Sequence, residues 1–239
     1  MRDLSKKQFI DRKKSDTLVI LGSGYSINKI KDWDKIKKFD SIAFNWFCNH
    51  EFVPNFFLIR EQSNINSRVG KHETIKRFYK ILSKDSYQNT CMIVQDLRHS
   101  KKANIHMRKK DLLSQYGVVL NDIRCLRRPD FSKDIFEKGV IHYRCTLSNV
   151  IHIGVFLKYD RIIFAGVDLY DSRYFWLNAK STRKNIKRKG LIFKDKHPIT
   201  SSVLKTVSYV KQCSDVKMYT LNHNSLLKKK IECISEGEL

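Results

Sequence analysis

Short apolar runs alternate with amphipathic stretches along this chain. Thr17-Leu18-Val19-Ile20-Leu21 is rich in β-forming residues and ends at Gly22-Ser23-Gly24. Such a run predicts a buried strand entering a glycine turn. Over 26–38 the apolar positions Ile27, Ile30, Trp33 and Ile36 recur at helical spacing and predict a helix. Residues 40–45, 55–59 and 90–94 predict further strands, with a helix near 70–83 that turns Ile75, Phe78, Ile81 and Leu82 inward. Two short strands are predicted at 118–120 and 123–126. A helix over 146–158 carries Val150, Ile151, Ile153, Gly154 and Leu157 as its apolar members. Residues 161–167 form the strongest strand pattern of the second half. A helix at 200–213, a strand at 216–221 and a last helix at 224–234 follow.

Alternating strands and helices predict an α/β, Rossmann-like fold: a mostly parallel sheet with helices on both faces. Ligands of such sheets bind beyond the carboxyl ends of the strands. Here those ends are Gly22-Ser23-Gly24, Asn45, Arg60 and Gly166-Val167-Asp168. Three stretches lack apolar periodicity. Residues 1–15 read as a flexible basic arm. Residues 178–196, which include NAKSTRKNIKRKG, read as a mobile basic loop. The expected organisation is therefore one domain over 16–239 with a lid at about 172–198. Residues 97–117 are basic and show no clear period.

Charge changes the picture next. Forty-seven Lys and Arg face twenty-four Asp and Glu in 239 residues, a net charge of +23. That field attracts polyanions: nucleic acid, anionic lipid headgroups or acidic sugar nucleotides. The six cysteines show no CxxC spacing, which argues against a zinc ribbon or a thioredoxin-type site. Residues 1–14 are polar, and no apolar run approaches the roughly 20 residues of a membrane span. The expectation is a cytoplasmic protein with reduced thiols, able to sit on the inner face of a membrane through its basic surface.

Four segments offer chemistry. Gly22-Ser23-Gly24 lets the backbone approach a phosphate at the start of a helix. Asn45 places an amide at a strand tip, where it can bond a ribose or a base. Phe164-Ala165-Gly166-Val167-Asp168-Leu169-Tyr170, followed by Tyr174, delivers a carboxylate and phenols to the same edge. Neutral phenols can hold a departing phosphate. His197, just after the basic run, has the side chain that takes a proton from a hydroxyl near neutrality. HExxH and paired-histidine patterns are missing from the sequence, and no metal ligands are expected.

Taken together and in order, these segments resemble the bacterial sialyltransferases of glycosyltransferase family 42. The family's Gly-Asn-Gly-Pro-Ser turn is matched by Gly22-Ser23-Gly24-Tyr25-Ser26, and its Cys-Asn strand end by Phe44-Asn45. Its Arg-x-Thr-Ser-Gly segment is matched by Arg144-Cys145-Thr146-Leu147-Ser148. Its Ser-Gly-Ile-Asp-Phe-Tyr strand end is matched by Ala165-Gly166-Val167-Asp168-Leu169-Tyr170. A histidine, a helix and Asn-Ser-Leu-Leu complete the series as His197, residues 200–213 and Asn224-Ser225-Leu226-Leu227. Four places depart from the family: Ser23 stands for Asn, Trp46 for Gln and Leu147 for Ser, and Tyr174 follows Tyr170 more closely.

The resemblance implies a GT-A-like, metal-independent transferase that needs no cofactor. It would move sialic acid, or a related nonulosonate or Kdo, from a CMP donor to a bacterial surface glycan with inversion. It casts His197 as general base, with Tyr170 and Tyr174 on the departing phosphate. Gly22, Ser23, Gly24, Asn45, Thr146, Gly166 and Asp168 would hold CMP. Arg144, Ser148 and Arg60 would face the sugars. Partners would be the CMP-sugar, the glycan acceptor, an anionic membrane surface and a second copy of the chain. Two alternatives stay open: a nucleic-acid-binding module, and a pyrophosphokinase resembling the MptE-like enzymes.

Overall fold

The computed structural model describes residues 2–60, 77–96, 116–125, 127–189 and 198–239. Among them the apolar runs become ten strands of one sheet. In chain order these are β1 (Arg2–Asp3), β2 (Thr17–Leu21), β3 (Asp40–Phe44), β4 (Phe56–Arg60) and β5 (Cys91–Asp96). Next come β6 (Tyr116–Arg124), β7 (Val140–His142), β8 (Arg161–Ala165), β9 (Lys217–Thr220) and β10 (Glu232–Cys233). Five helices accompany them: α1 (Lys6–Ile10), α2 (Trp33–Lys37), α3 (Thr146–Phe156), α4 (Ala179–Lys189) and α5 (Pro198–Cys213). Residues 77–82 are helical as well.

The strand order is β1-β6-β5-β4-β3-β2-β8-β9-β10, with β7 paired to the far half of β6. Every strand pair is parallel. From β2 the chain steps outward through β3, β4, β5 and β6, then returns through α3 to lay β8 on the other flank of β2. The order thus reverses at β2, and the carboxyl ends of β2 and β8 border a crevice of the kind that takes ligands.

A parallel strand covered on both faces must be apolar throughout, and β2 is buried along its whole length. Leu18 and Ile20 pack with Ile151 of α3 and Val207 of α5 on one face. Val19 and Leu21 pack with Ile27, Ile36 and Phe47 on the other.

Several elements differ from expectation. The N-terminal residues carry β1 and α1 in place of a frayed arm. Ser5 and Gln8 form a capping box, and Phe9 is fully buried, edge-on to Phe56 and Phe136. Phe9 and the pairing of β1 with β6 dock the segment. The helix expected over 26–38 is a 3₁₀ turn (Tyr25–Lys29) followed by α2, because the Asp32 carboxylate accepts from Lys35 N and starts a new helix. Ile27 and Ile36 are buried as anticipated.

The two strands expected at 118–126 are one strand, β6, which pairs β5 first and β7 afterwards. The basic run is helical over Ala179–Lys189, with Asn178 capping it by accepting from Ser181 N at 2.8 Å. The last helix is instead a 3₁₀ turn (Leu226–Lys229) and β10. Ile75 and residues 97–115 lie outside the described residues.

Inside α3, His152 is fully buried. Its Nδ1 accepts from Ile141 N at 3.0 Å, and its Nε2 meets the Lys133 carbonyl at 2.9 Å. Both bonds fit the neutral ring with its proton on Nε2. Burial lowers its pKa to about 4. An unfolded histidine titrates near 6.5, so the unfolded chain takes up the proton first. The stability His152 contributes is whole above pH 6.5 and is lost as pH falls toward 4, by about 3 kcal/mol. Urea unfolding at pH 7 and pH 4 is expected to show this loss. His152→Leu, less stable at pH 7, is expected to show a drop smaller by that amount; an equal drop would dismiss His152 as its source.

Candidate active site

Where β2 ends, the chain turns against the end of β8. Gly22 N donates to Ala165 O and Gly24 N to Gly166 O, each at 2.8 Å. The approach is too close for side chains: a Cβ on Gly24 would lie 2.6 Å from Asp168 Oδ2 and 2.7 Å from Gly166 O. Gly166 itself adopts φ +68, a conformation open to glycine. Asp168, only 3 % exposed, fastens the turn. It accepts from Ser26 N at 3.0 Å, from the Ser26 hydroxyl, and from Asn222 Nδ2 at 2.7 Å. Three segments distant in sequence meet on one carboxylate.

At this crevice lies a cavity of about 660 Å³, a size suited to a small-molecule ligand. Gly22, Ser23, Gly24, Asn45, Arg144, Thr146, Gly166, Asp168 and Tyr174 all line it. Backbone strain gathers here. Four non-glycine residues among the described ones have positive φ, and three of them, Asn45 (56), Arg144 (61) and Leu169 (61), are in the cavity wall. No side-chain hydrogen bond engages the Asn45 amide among the described residues, and Arg144 is exposed with no ion pair among them. Thr146 and Leu147 line the cavity from the first turn of α3, whose amides lack intrahelical acceptors and favour anions.

Other expected residues are placed differently. Ser148 is fully buried: its hydroxyl accepts from Tyr143 N at 2.8 Å and donates to Cys145 O at 2.6 Å. It braces the entry to α3 and does not line the cavity, a correction to its expected sugar contact. Tyr170 is half-buried and outside the wall, near Arg173, so the phenol in the wall is that of Tyr174. Tyr174 makes an isolated bridge to Gly24, which ties the segment after β8 to the glycine turn. Arg60 ends β4 beside Gln95 of β5, and its side chain lies outside the described set. His197 also lies outside the described residues. Two residues beyond it, Ile199 of α5 lines the cavity, with Thr200 and Val203.

Sequence reasoning missed Asp171 and Arg173, both in the wall. An acid and a base two residues apart between Tyr170 and Tyr174 were the available signal. Among the described residues no cluster of His, Cys, Asp or Glu is arranged to hold a metal ion.

Neither a protein-family model nor a curated protein matches this chain in sequence. Solved structures do match in shape. CstII, a sialyltransferase from Campylobacter jejuni solved with the substrate analogue CMP-3FNeuAc, is 18% identical with a TM-score of 0.54. That match covers 92% of this chain and 87% of CstII. Cst-I, a monofunctional alpha-2,3-sialyltransferase from the same organism, is 14% identical with a TM-score of 0.53, over 99% of this chain and 84% of its own. The MAf glycosyltransferase from Magnetospirillum magneticum AMB-1 is 12% identical with a TM-score of 0.55. There the match takes in 95% of this chain but 35% of that one. At these identities the likeness is one of fold: the chain has an α/β fold similar to that of bacterial sialyltransferases and of a larger glycosyltransferase.

Proposed function

We propose that this chain is an inverting, metal-independent glycosyltransferase that moves sialic acid, or a related nonulosonate or Kdo, from CMP to a bacterial surface glycan. The observation that carries this reading is the cavity at the strand-order reversal. It gathers the glycine turn, Asn45, the segment from Arg144 into α3 and the end of β8 from four separate stretches of chain. The fold shared with CstII, a sialyltransferase solved with the substrate analogues CMP-3FNeuAc and cytidine-5'-monophosphate, supports it.

In this reading Ser23, Asn45 and the backbone of Gly22 and Gly24 hold the nucleotide. The first turn of α3 and Tyr174 face its phosphate, and Arg144 faces an acidic sugar. A 2-keto acid sugar departs through an oxocarbenium-like state, so catalysis needs donors for the leaving phosphate and a base for the acceptor hydroxyl. We assign the base to His197. Asp168 acts on the site indirectly, by holding the turn.

Donor hydrolysis over a panel of CMP- and UDP-linked sugars tests the reading. A CMP-linked acidic sugar is expected to turn over in EDTA, and UDP-sugars are not. Turnover that requires ATP and magnesium would replace this reading with a pyrophosphokinase. Salt-steep binding of random oligonucleotides without CMP binding would replace it with a nucleic-acid module. No helix among the described residues is long and apolar enough to cross a membrane, and contact with an acceptor on a membrane would use the basic surface.

A further inference from the structure

Arg173 is a cation held at the cavity wall by a carboxylate and an aromatic ring. Its Nε lies 2.8 Å from Asp171 Oδ2 and 3.1 Å from Oδ1, and its Nη2 donates to Oδ2 at 2.6 Å. Its own amide donates to Asp171 Oδ1 at 2.8 Å. Its guanidinium carbon stands 4.1 Å from the centroid of the Tyr25 ring, a cation–π stack. The Asp171 side chain is 2% exposed, whereas that of Arg173 is 37% exposed.

A guanidinium has five N–H donors. The fork to Asp171 engages Nε–H and one Nη2–H. The other Nη2–H and both Nη1 hydrogens have no acceptor among the described residues. Three directed donors therefore remain on a cation whose orientation is already fixed, and little rotamer entropy is left to lose when they are used. The other carboxylate of the wall, Asp168, is occupied by Ser26 and Asn222. An arrangement that orients a planar fork and leaves its outer edge open fits an oxyanion, which accepts two parallel N–H bonds.

We propose that Arg173 is a specificity-determining residue that binds an oxyanion of the donor, with Asp171 and Tyr25 as positioning residues that set its plane. The proposal rests on the nucleotide-sugar reading above. The oxyanion is either the phosphate of the nucleotide or the carboxylate of the transferred sugar.

Calorimetric titration with cytidine, CMP and CMP-3FNeuAc separates these sources. Arg173→Gln alone leaves Asp171 buried and uncompensated, so the Asp171→Asn, Arg173→Gln double variant, which keeps a neutral hydrogen-bonded pair, is measured beside it. Both variants are expected to bind cytidine as the wild type does. A loss of about 10–100-fold for CMP assigns the phosphate; the same loss for CMP-3FNeuAc with CMP unchanged assigns the carboxylate. Wild-type affinity of both variants for CMP and CMP-3FNeuAc would overturn the proposal and leave the nucleotide reading intact. Recovery of wild-type affinity in the double variant alone would also overturn it, by reducing Arg173 to a counter-ion for Asp171. Weakened cytidine binding in both variants would mean a collapsed site and overturn it as well. A wild type that binds none of the three ligands would bring down both readings.

Discussion

Replacing His197 with alanine is expected to slow glycosyl transfer by about 10²–10⁴-fold, the usual worth of a positioned general base, while CMP affinity stays within about twofold of the wild type. An acceptor hydroxyl must lose its proton as it attacks, and an imidazole that titrates near neutrality is suited to take it. His197 immediately precedes α5, whose Ile199, Thr200 and Val203 form one wall of the cavity. The glycine turn and Asn45 lie on other elements. A base acts on the acceptor, so its removal lowers turnover and spares the nucleotide. Single-turnover transfer and CMP titration measured side by side check this. A CMP affinity that falls in step with turnover would remove His197 from that role.

Asp168→Ala is expected to cost about 4–5 kcal/mol of stability. Hydrogen bonds to a charged group contribute about 1.5–3 kcal/mol each. Removing one member of a buried, bonded set leaves its partners unsatisfied, at about 3–5 kcal/mol. Ser26 N, the Ser26 hydroxyl and Asn222 Nδ2 all lose their acceptor in this variant. For a chain of this length the melting temperature should drop by about 10 °C or more. Thermal denaturation checks the figure, and a drop below about 3 °C would show that the turn is held by its backbone bonds to β8 alone.

The sequence made β2, β3, β4 and β8 readable because strands buried on both faces give near-continuous apolar runs, and α5 because its buried positions recur with helical period; β9 shows an alternation of buried and more exposed positions, and α3 an apolar run too long for a strand. Asp32 broke the helix expected over 26–38 by serving as a cap, a role the apolar period does not reveal. The basic helix α4 has too few apolar residues to display a period. Its signals were the Asn178 cap and the intrinsic helix preference of Ala, Lys and Arg. The edge strands β1, β7 and β10 are two or three residues long, below what alternation can mark. At the site, residues at strand ends and the start of α3 were readable, since topology alone brings them to one crevice. Ser148 faced backbone because the first turn of α3 needed its hydroxyl. Asp171 and Arg173 were hidden because their pairing depends on the path of an aperiodic loop.

The reversal of strand order at β2 has a thermodynamic corollary. The wall draws on Asn45, at the end of β3, from one side of β2 and on residues 166–174, beyond the end of β8, from the other, so neither side carries the whole site. Any molecule seated there acts as a rivet across the fold's midline: its binding energy is returned only if both flanks are intact, and occupancy resists the unfolding of the two together.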